Sequence, residues 1–159
     1  MIGCDLDGTL IDYESCGKDA PTRVNMALVM SFRGEKIAII TNQGGIPLGY
    51  RSPARFTERL SVLAQACQDI GVEIVSCRIA LYHQKASMAS IMEASANLNQ
   101  CMQEEISIET RVYTASQARK PSPMMLTLSR ATVYYGDSDE DEQAAAVADI
   151  KFVRVERFV

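Results

Sequence analysis

Short β-branched runs alternate with helical stretches along the chain, and this alternation constrains the fold more than any other property of the sequence. Ile2–Leu6 reads as a first strand and Lys36–Thr41 (KIAIIT) as a second. Glu73–Tyr82 (EIVSCRIALY), Thr132–Gly136 (TVYYG) and Ile150–Val155 (IKFVRV) read as three more. Helices are expected between them. Pro21–Arg33 has Pro near its start and Gly34 just beyond, which are start and stop signals. A second helix runs from Ser52-Pro53 to Gly71, with Phe56, Leu60, Leu63 and Cys67 as its apolar positions. Ser87–Glu105 reads as a softer helix and Glu140–Ala148 as another. Strand–helix alternation of this kind builds a parallel sheet with helices on both faces.

At 159 residues the chain suits one domain, 1–159, and no Pro/Gly/Ser linker or internal repeat divides it. The stretch 84–110 is longer than such a domain needs and reads as a small helical insertion, either a lid or an extra flank helix. A net charge of -4 and a pI near 5.0 argue against broad non-specific binding to nucleic acid. Arg51, Arg55, Arg59, Arg78, Arg111 and Arg119 could still form a local basic patch. No apolar run is long enough to span a bilayer, and no basic segment with an apolar continuation opens the chain. A cytoplasmic protein is the expectation. The five cysteines, Cys4, Cys16, Cys67, Cys77 and Cys101, are scattered and form no CxxC pair, so reduced thiols are expected.

In parallel α/β sheets the functional site lies outside the carboxyl ends of the strands. Asp5-Leu6-Asp7-Gly8-Thr9 stands at the end of the first strand: two acids two residues apart, then a Gly that can turn the chain. Thr41-Asn42-Gln43-Gly44-Gly45 ends the second, and Gly136-Asp137-Ser138-Asp139-Glu140-Asp141 ends a later one. Arg119-Lys120-Pro121 precedes a helix expected to begin near Pro121. An acid pair, a hydroxyl, a cation and a second acid group could bind a divalent cation and a phosphate side by side. Carboxylate oxygens such as those of Asp5 and Asp137 suit Mg²⁺. Thr41 and Lys120 could neutralise phosphate oxygens.

These four segments, in this order, resemble the motifs of the haloacid dehalogenase (HAD) superfamily of phosphatases. DLDGT looks like its first motif, Thr41 in IITNQ its second, Lys120 in ARKP its third and GDSDED its fourth. TNQGG with RKP is similar to the branch holding histidinol-phosphatases, heptose bisphosphate phosphatases and the 3′-phosphatase domain of polynucleotide kinases. The resemblance implies a Rossmann-like three-layer α/β/α sandwich with a mainly parallel sheet and no large cap domain. It implies a Mg²⁺-dependent phosphomonoester hydrolase with Asp5 as nucleophile and Asp7 as general acid and base. Asp5, the Asp7 backbone carbonyl and Asp137 would hold the metal. Thr41 and Asn42, with Lys120 and Arg119, would bind phosphate, and Asp141 would orient Lys120 or a metal-bound water.

Other acids in the last motif have a plainer explanation. Asp139, Glu140 and Glu142 suit a helix start, where the dipole favours negative charge. His83 reads as structural or superficial, Cys4 as a small core residue, and Met88–Met102 as packed helix. Cys77, His83 and Cys101 lack tight ligand spacing, so no structural zinc is expected. Only Leu10–Ala20 follows the first motif, enough for a short flap and no domain. An open site suits a sugar- or nucleotide-type phosphate, or a polynucleotide 3′-phosphate. Two other classes share these motifs: a phosphate-binding module without turnover, and a phosphotransferase.

Overall fold

The computed structural model describes residues 1–13 and 20–156. Cys16 and most of the expected flap lie outside the described residues. Six strands form one sheet: β1 (Ile2–Cys4), β2 (Lys36–Asn42), β3 (Glu73–Ala80), β4 (Glu109–Tyr113), β5 (Val133–Gly136) and β6 (Lys151–Arg154). Their order is β4-β3-β2-β1-β5-β6, and every pairing is parallel. The order reverses beside β1, between β2 and β5. Such a switch point leaves a crevice at the carboxyl ends of the central strands.

Among the described residues five α-helices complete the layers: α1 (Met26–Ser31), α2 (Pro53–Ile70), α3 (Met88–Glu105), α4 (Met124–Leu128) and α5 (Asp139–Val147). Two cores result. On one face Val29, Phe56, Leu60, Leu63, Ile91 and Leu98 from α1, α2 and α3 pack on Cys4, Ile37, Ile39, Cys77 and Ile79. On the other, Met125, Leu126, Ala144 and Ala145 from α4 and α5 pack on Ile40, Ala80 and Tyr134. This is the expected three-layer α/β/α sandwich, with no large cap among the described residues.

Several boundaries differ from expectation for local reasons. Helix α1 is six residues long, not thirteen. Residues 22–25 are drawn instead into pairing with the segment after the first motif. Val24 bridges Ile11, Asp12 N–H donates to Arg23 O, and Asn25 N–H donates to Leu10 O. Asn25 then caps the shortened helix through Leu28 N–H. Strand β4 was not expected at all. It is an edge strand whose Glu109 and Arg111 are exposed, so its sequence lacks the apolar signal of the central strands. Within the stretch 84–110, α3 packs on α2 and carries the chain across the sheet face into β4. It is the crossover of a parallel pair. No helix among the described residues is long and apolar enough to cross a membrane.

Three of the thiols are core residues. Cys4, Cys67 and Cys77 are buried and free, and burial pushes Cys67 up to about 11 and Cys77 up to about 12.

Candidate active site

The central strands deliver polar groups to the crevice. Beyond Cys4, Asp5 N–H still donates to Tyr135 O at 2.9 Å, so strand geometry carries Asp5 to the sheet edge. The chain then turns: the N–H groups of Thr9, Leu10 and Ile11 all donate to Leu6 O. Gly8 sits in this turn at φ +80°, a region that costs a side chain energy. A Cβ there would also collide with Asp137 Oδ2 and the Tyr13 ring. The glycine thus lets the fourth-motif acid approach the first.

Asp5, Asp7, Thr41, Asn42, Lys120, Asp137 and Asp141 line one cleft of about 450 Å³. The four segments therefore converge in space. Lys120 is 3% exposed, and its Nζ is ringed by Asp5 Oδ1 at 2.9 Å, Asp141 Oδ1 at 2.7 Å, Tyr134 OH at 2.7 Å and Ile40 O at 3.1 Å. It is placed by Asn42, whose Oδ1 accepts Lys120 N–H at 2.9 Å and whose Nδ2 donates to Lys120 O at 3.1 Å. The Asn42 side chain thus serves the lysine backbone.

The charges of this cluster are unequal. Burial opposes the Lys120 charge, but attraction to Asp5 and Asp141 and hydrogen bonds to both lift it above the ordinary lysine value. Burial likewise opposes the charge on Asp141. Lys120, Ser138 and Tyr134 outweigh it and bring Asp141 below the usual carboxylate range. Asp5 is raised well above that range: its burial is the largest cause, and Asp141 and Asp7 add repulsion that Lys120 only partly offsets. One ammonium serving two carboxylates secures its own charge more fully than either of theirs. Asp141 has extra donors and takes the larger share.

Helix α5 sets Asp141 in place. Ser138 Oγ accepts Asp141 N–H, and Asp141 Oδ2 accepts Ser138 N–H, a reciprocal cap at the helix start. Gly136 makes room, because a Cβ there would lie 2.6 Å from the Asp141 Cβ, Cγ and Oδ2. Asp139 and Glu142 pair outward with Arg154, as helix-start acids do.

Asp7 stands apart from the lysine. Its Oδ2 accepts from Gln43 Nε2 at 2.7 Å and Arg51 Nη1 at 2.9 Å, and its Oδ1 lies 3.4 Å from Arg59 Nη2. Arg59 is 2% exposed and also donates to Asp12 O. Arg119 is placed differently from expectation. It does not line the cleft; its Nη1 donates to Tyr82 O at 3.2 Å, and the guanidinium packs where a Gly44 Cβ would be. Arg51 is the guanidinium at the cleft wall. Two arginines of the possible basic patch are drawn into the fold. Arg59 is buried on Asp7 and Asp12, and Arg78 is held by Ser129 and Tyr113.

Four groups here went unnoticed in the sequence: Tyr13, Gln43, Arg51 as an Asp7 partner, and Tyr134. Tyr13 OH donates to Asp137 Oδ2 at 2.5 Å. Gln43 could have been suspected, standing two residues past Thr41 in a strand-end motif. Tyr134 could have been read from the alternation in TVYYG, which turns it away from Val133 and Tyr135.

The donor set fits a hard divalent cation. Among the described residues the cleft has five acids, Asp5, Asp7, Asp137, Glu140 and Asp141, against Arg51 and Lys120. Oxygens of Asp5, Asp137 and Asp141 lie within 4.8 Å of one another. Asp141 is committed to Lys120 and Ser138, which leaves Asp5 and Asp137 as the side chains for a metal.

No protein-family model matches the chain, and no curated protein matches it. A solved structure from Mesorhizobium loti, provisionally named a HAD-like phosphatase, matches with a TM-score of 0.63 and 20% identity. The match covers 94% of this chain and 68% of the other. At that identity the likeness is one of fold, and the fold is HAD-like.

Proposed function

We propose that the chain is a Mg²⁺-dependent phosphomonoester hydrolase working through an aspartyl-phosphate on Asp5. The observation that carries this reading is the convergence of four sequence segments on one cleft, with Asp5 bonded to a buried lysine and Asp7 held separately. An Asp5 oxygen attacks phosphorus. The bond from phosphorus to the leaving oxygen breaks, the leaving oxygen keeps the electron pair, and Asp7 supplies its proton. Asp7 then takes a proton from water as that water attacks the phosphorus of the aspartyl-phosphate. The Asp5 carboxylate is regenerated and inorganic phosphate is released. Lys120 and the Thr41 hydroxyl face the phosphoryl oxygens and offset their charge.

Asp5, Asp137 and the Asp7 backbone carbonyl would hold Mg²⁺. Bound there, it would supply the positive charge that lets an anionic nucleophile meet an anionic phosphate. Asp141 works through Lys120.

The substrate we infer is a small sugar- or nucleotide-type phosphate, within the branch of histidinol- and heptose bisphosphate phosphatases. The net charge of -4 supports a small ester over a polynucleotide 3′-phosphate. Reduced, buried thiols fit a cytoplasmic setting. Asp5→Asn is the central test. It should abolish hydrolysis while circular dichroism stays unchanged; retained turnover would refute the nucleophile. A screen of sugar phosphates, nucleotides and 3′-phosphorylated oligonucleotides with Mg²⁺ would decide the substrate class.

A further inference from the structure

Gln43 is 3% exposed and joins three polar groups on the Asp7 side of the cleft. Its Oε1 accepts from Arg51 Nη1 at 2.7 Å. Its Nε2 donates to Asp7 Oδ2 at 2.7 Å and to Thr41 Oγ1 at 2.9 Å. A guanidinium carries only donors, so Arg51 dictates which end of the amide is oxygen. The amide nitrogen must then face Asp7 and Thr41, and its two hydrogens match those two acceptors.

Two consequences follow for the chemistry. Thr41 Oγ1 already accepts from Gln43, so its own hydrogen serves as a donor; its internal alternative, Asn42 O, is 3.5 Å away. Asp7 Oδ2 is committed to Gln43 and Arg51. Oδ1 accepts a longer bond, 3.4 Å, from Arg59 Nη2, so it is the less tightly held oxygen and the one to face the leaving group.

We propose that Gln43 and Arg51 are positioning residues, which orient the Thr41 hydroxyl and hold Asp7 by one oxygen so that the other reaches the leaving group. The proposal rests on the hydrolase reading above. Neither residue touches the reacting atoms; both act through Thr41 and Asp7.

The test uses a series of aryl phosphates from p-nitrophenyl to 4-methoxyphenyl, with kcat/KM measured for each. A p-nitrophenolate departs with little help, whereas a methoxyphenolate needs a proton. Gln43→Glu keeps the side-chain shape but turns acceptors toward Asp7 and Thr41. Arg51→Met removes the group that orients the amide. Both variants should steepen the dependence on leaving-group pKa, losing about tenfold more on 4-methoxyphenyl than on p-nitrophenyl phosphate. Arg51→Lys should recover part of that difference. A purely structural defect would lower all substrates alike, and that result overturns the positioning role while leaving hydrolysis intact. A wild-type protein inactive on every aryl phosphate overturns both readings. If Gln43→Glu fails to fold by circular dichroism, Gln43→Met and the Arg51 pair decide on the same slope.

Discussion

Replacing Lys120 with methionine keeps most of the side-chain volume and removes the one ammonium shared by Asp5 and Asp141. Lys120 is 3% exposed, and its Nζ has oxygens at 2.7 to 3.1 Å on four sides. Removing one partner of a buried ion pair costs about 3–5 kcal/mol, because the remaining charge stays uncompensated. Here two carboxylates lose their cation, which points to the upper end. Proton uptake pulls the other way: Asp5 already lies above the usual range through burial, and without the lysine it would take up a proton more readily. The net expectation at neutral pH is a loss of about 4 kcal/mol.

The pH dependence follows from the directions. In the wild type Asp141 lies below its unfolded value, so its contribution is present above about pH 4 and lost as pH falls through the folded value. Asp5 lies above its unfolded value, so its contribution is present below about pH 4 and lost as pH rises through the folded value. Without Lys120 both acids behave like Asp5. The variant should thus approach wild type only as pH falls below about 4, through the folded value of Asp141, and fall progressively behind it toward neutrality. Urea unfolding followed by circular dichroism at stepped pH measures this directly. A deficit at neutral pH below about 1 kcal/mol, or one that does not change with pH, would refute the assignment of Lys120 as the shared counter-charge.

Two further outcomes follow from the same geometry. Gly136→Ala would place a methyl 2.6 Å from the Asp141 carboxylate, displacing it from Lys120, so it should cost about 1–3 kcal/mol in urea unfolding and lower kcat for any hydrolysed ester. Chelation should abolish turnover and added Mg²⁺ restore it; Mg²⁺ should raise the melting temperature of wild type and not of Asp137→Asn, as calorimetry would show.

The central strands and both long helices were legible because one signal dominated each. KIAIIT is buried on both faces, as central parallel strands are, and it runs one residue further to Asn42. Ser52 and Gly71 cap α2 at the places the sequence marked. Edges were harder to read. Strand β4 needs only one paired side and carries charge, and α1 lost its first turns to a long-range pairing with residues 10–12 that no local pattern encodes. The cleft was legible to the extent that its residues sit in motifs at strand ends. Gln43, Arg51 and Tyr134 act on those residues through side-chain contacts set by the tertiary fold. Arg119 was misread for the same reason: adjacency to Lys120 in sequence placed it near phosphate, whereas an extended backbone at Arg119 sends its side chain to Tyr82 O.

The two acids of the first motif differ by a single intervening residue, yet the fold gives them separate surroundings. Asp5 is tied to a buried ammonium whose attraction it shares with Asp141, and its charge is opposed by burial. Asp7 is 14% exposed at its side chain and is held by guanidinium and amide donors. A nucleophile benefits from the first setting. Its charge is costly until a cation and a phosphate enter, so binding and reaction relieve the same strain in charge. A proton carrier benefits from the second, where one oxygen is held by two short bonds and the other by a single longer one. Sequence spacing alone leaves the two carboxylates interchangeable. The asymmetry comes from β5 and α5 on one side of the crevice and the β2–α2 loop on the other, which is how, in the proposed mechanism, a switch point between strands divides nucleophile from proton carrier within three residues of chain.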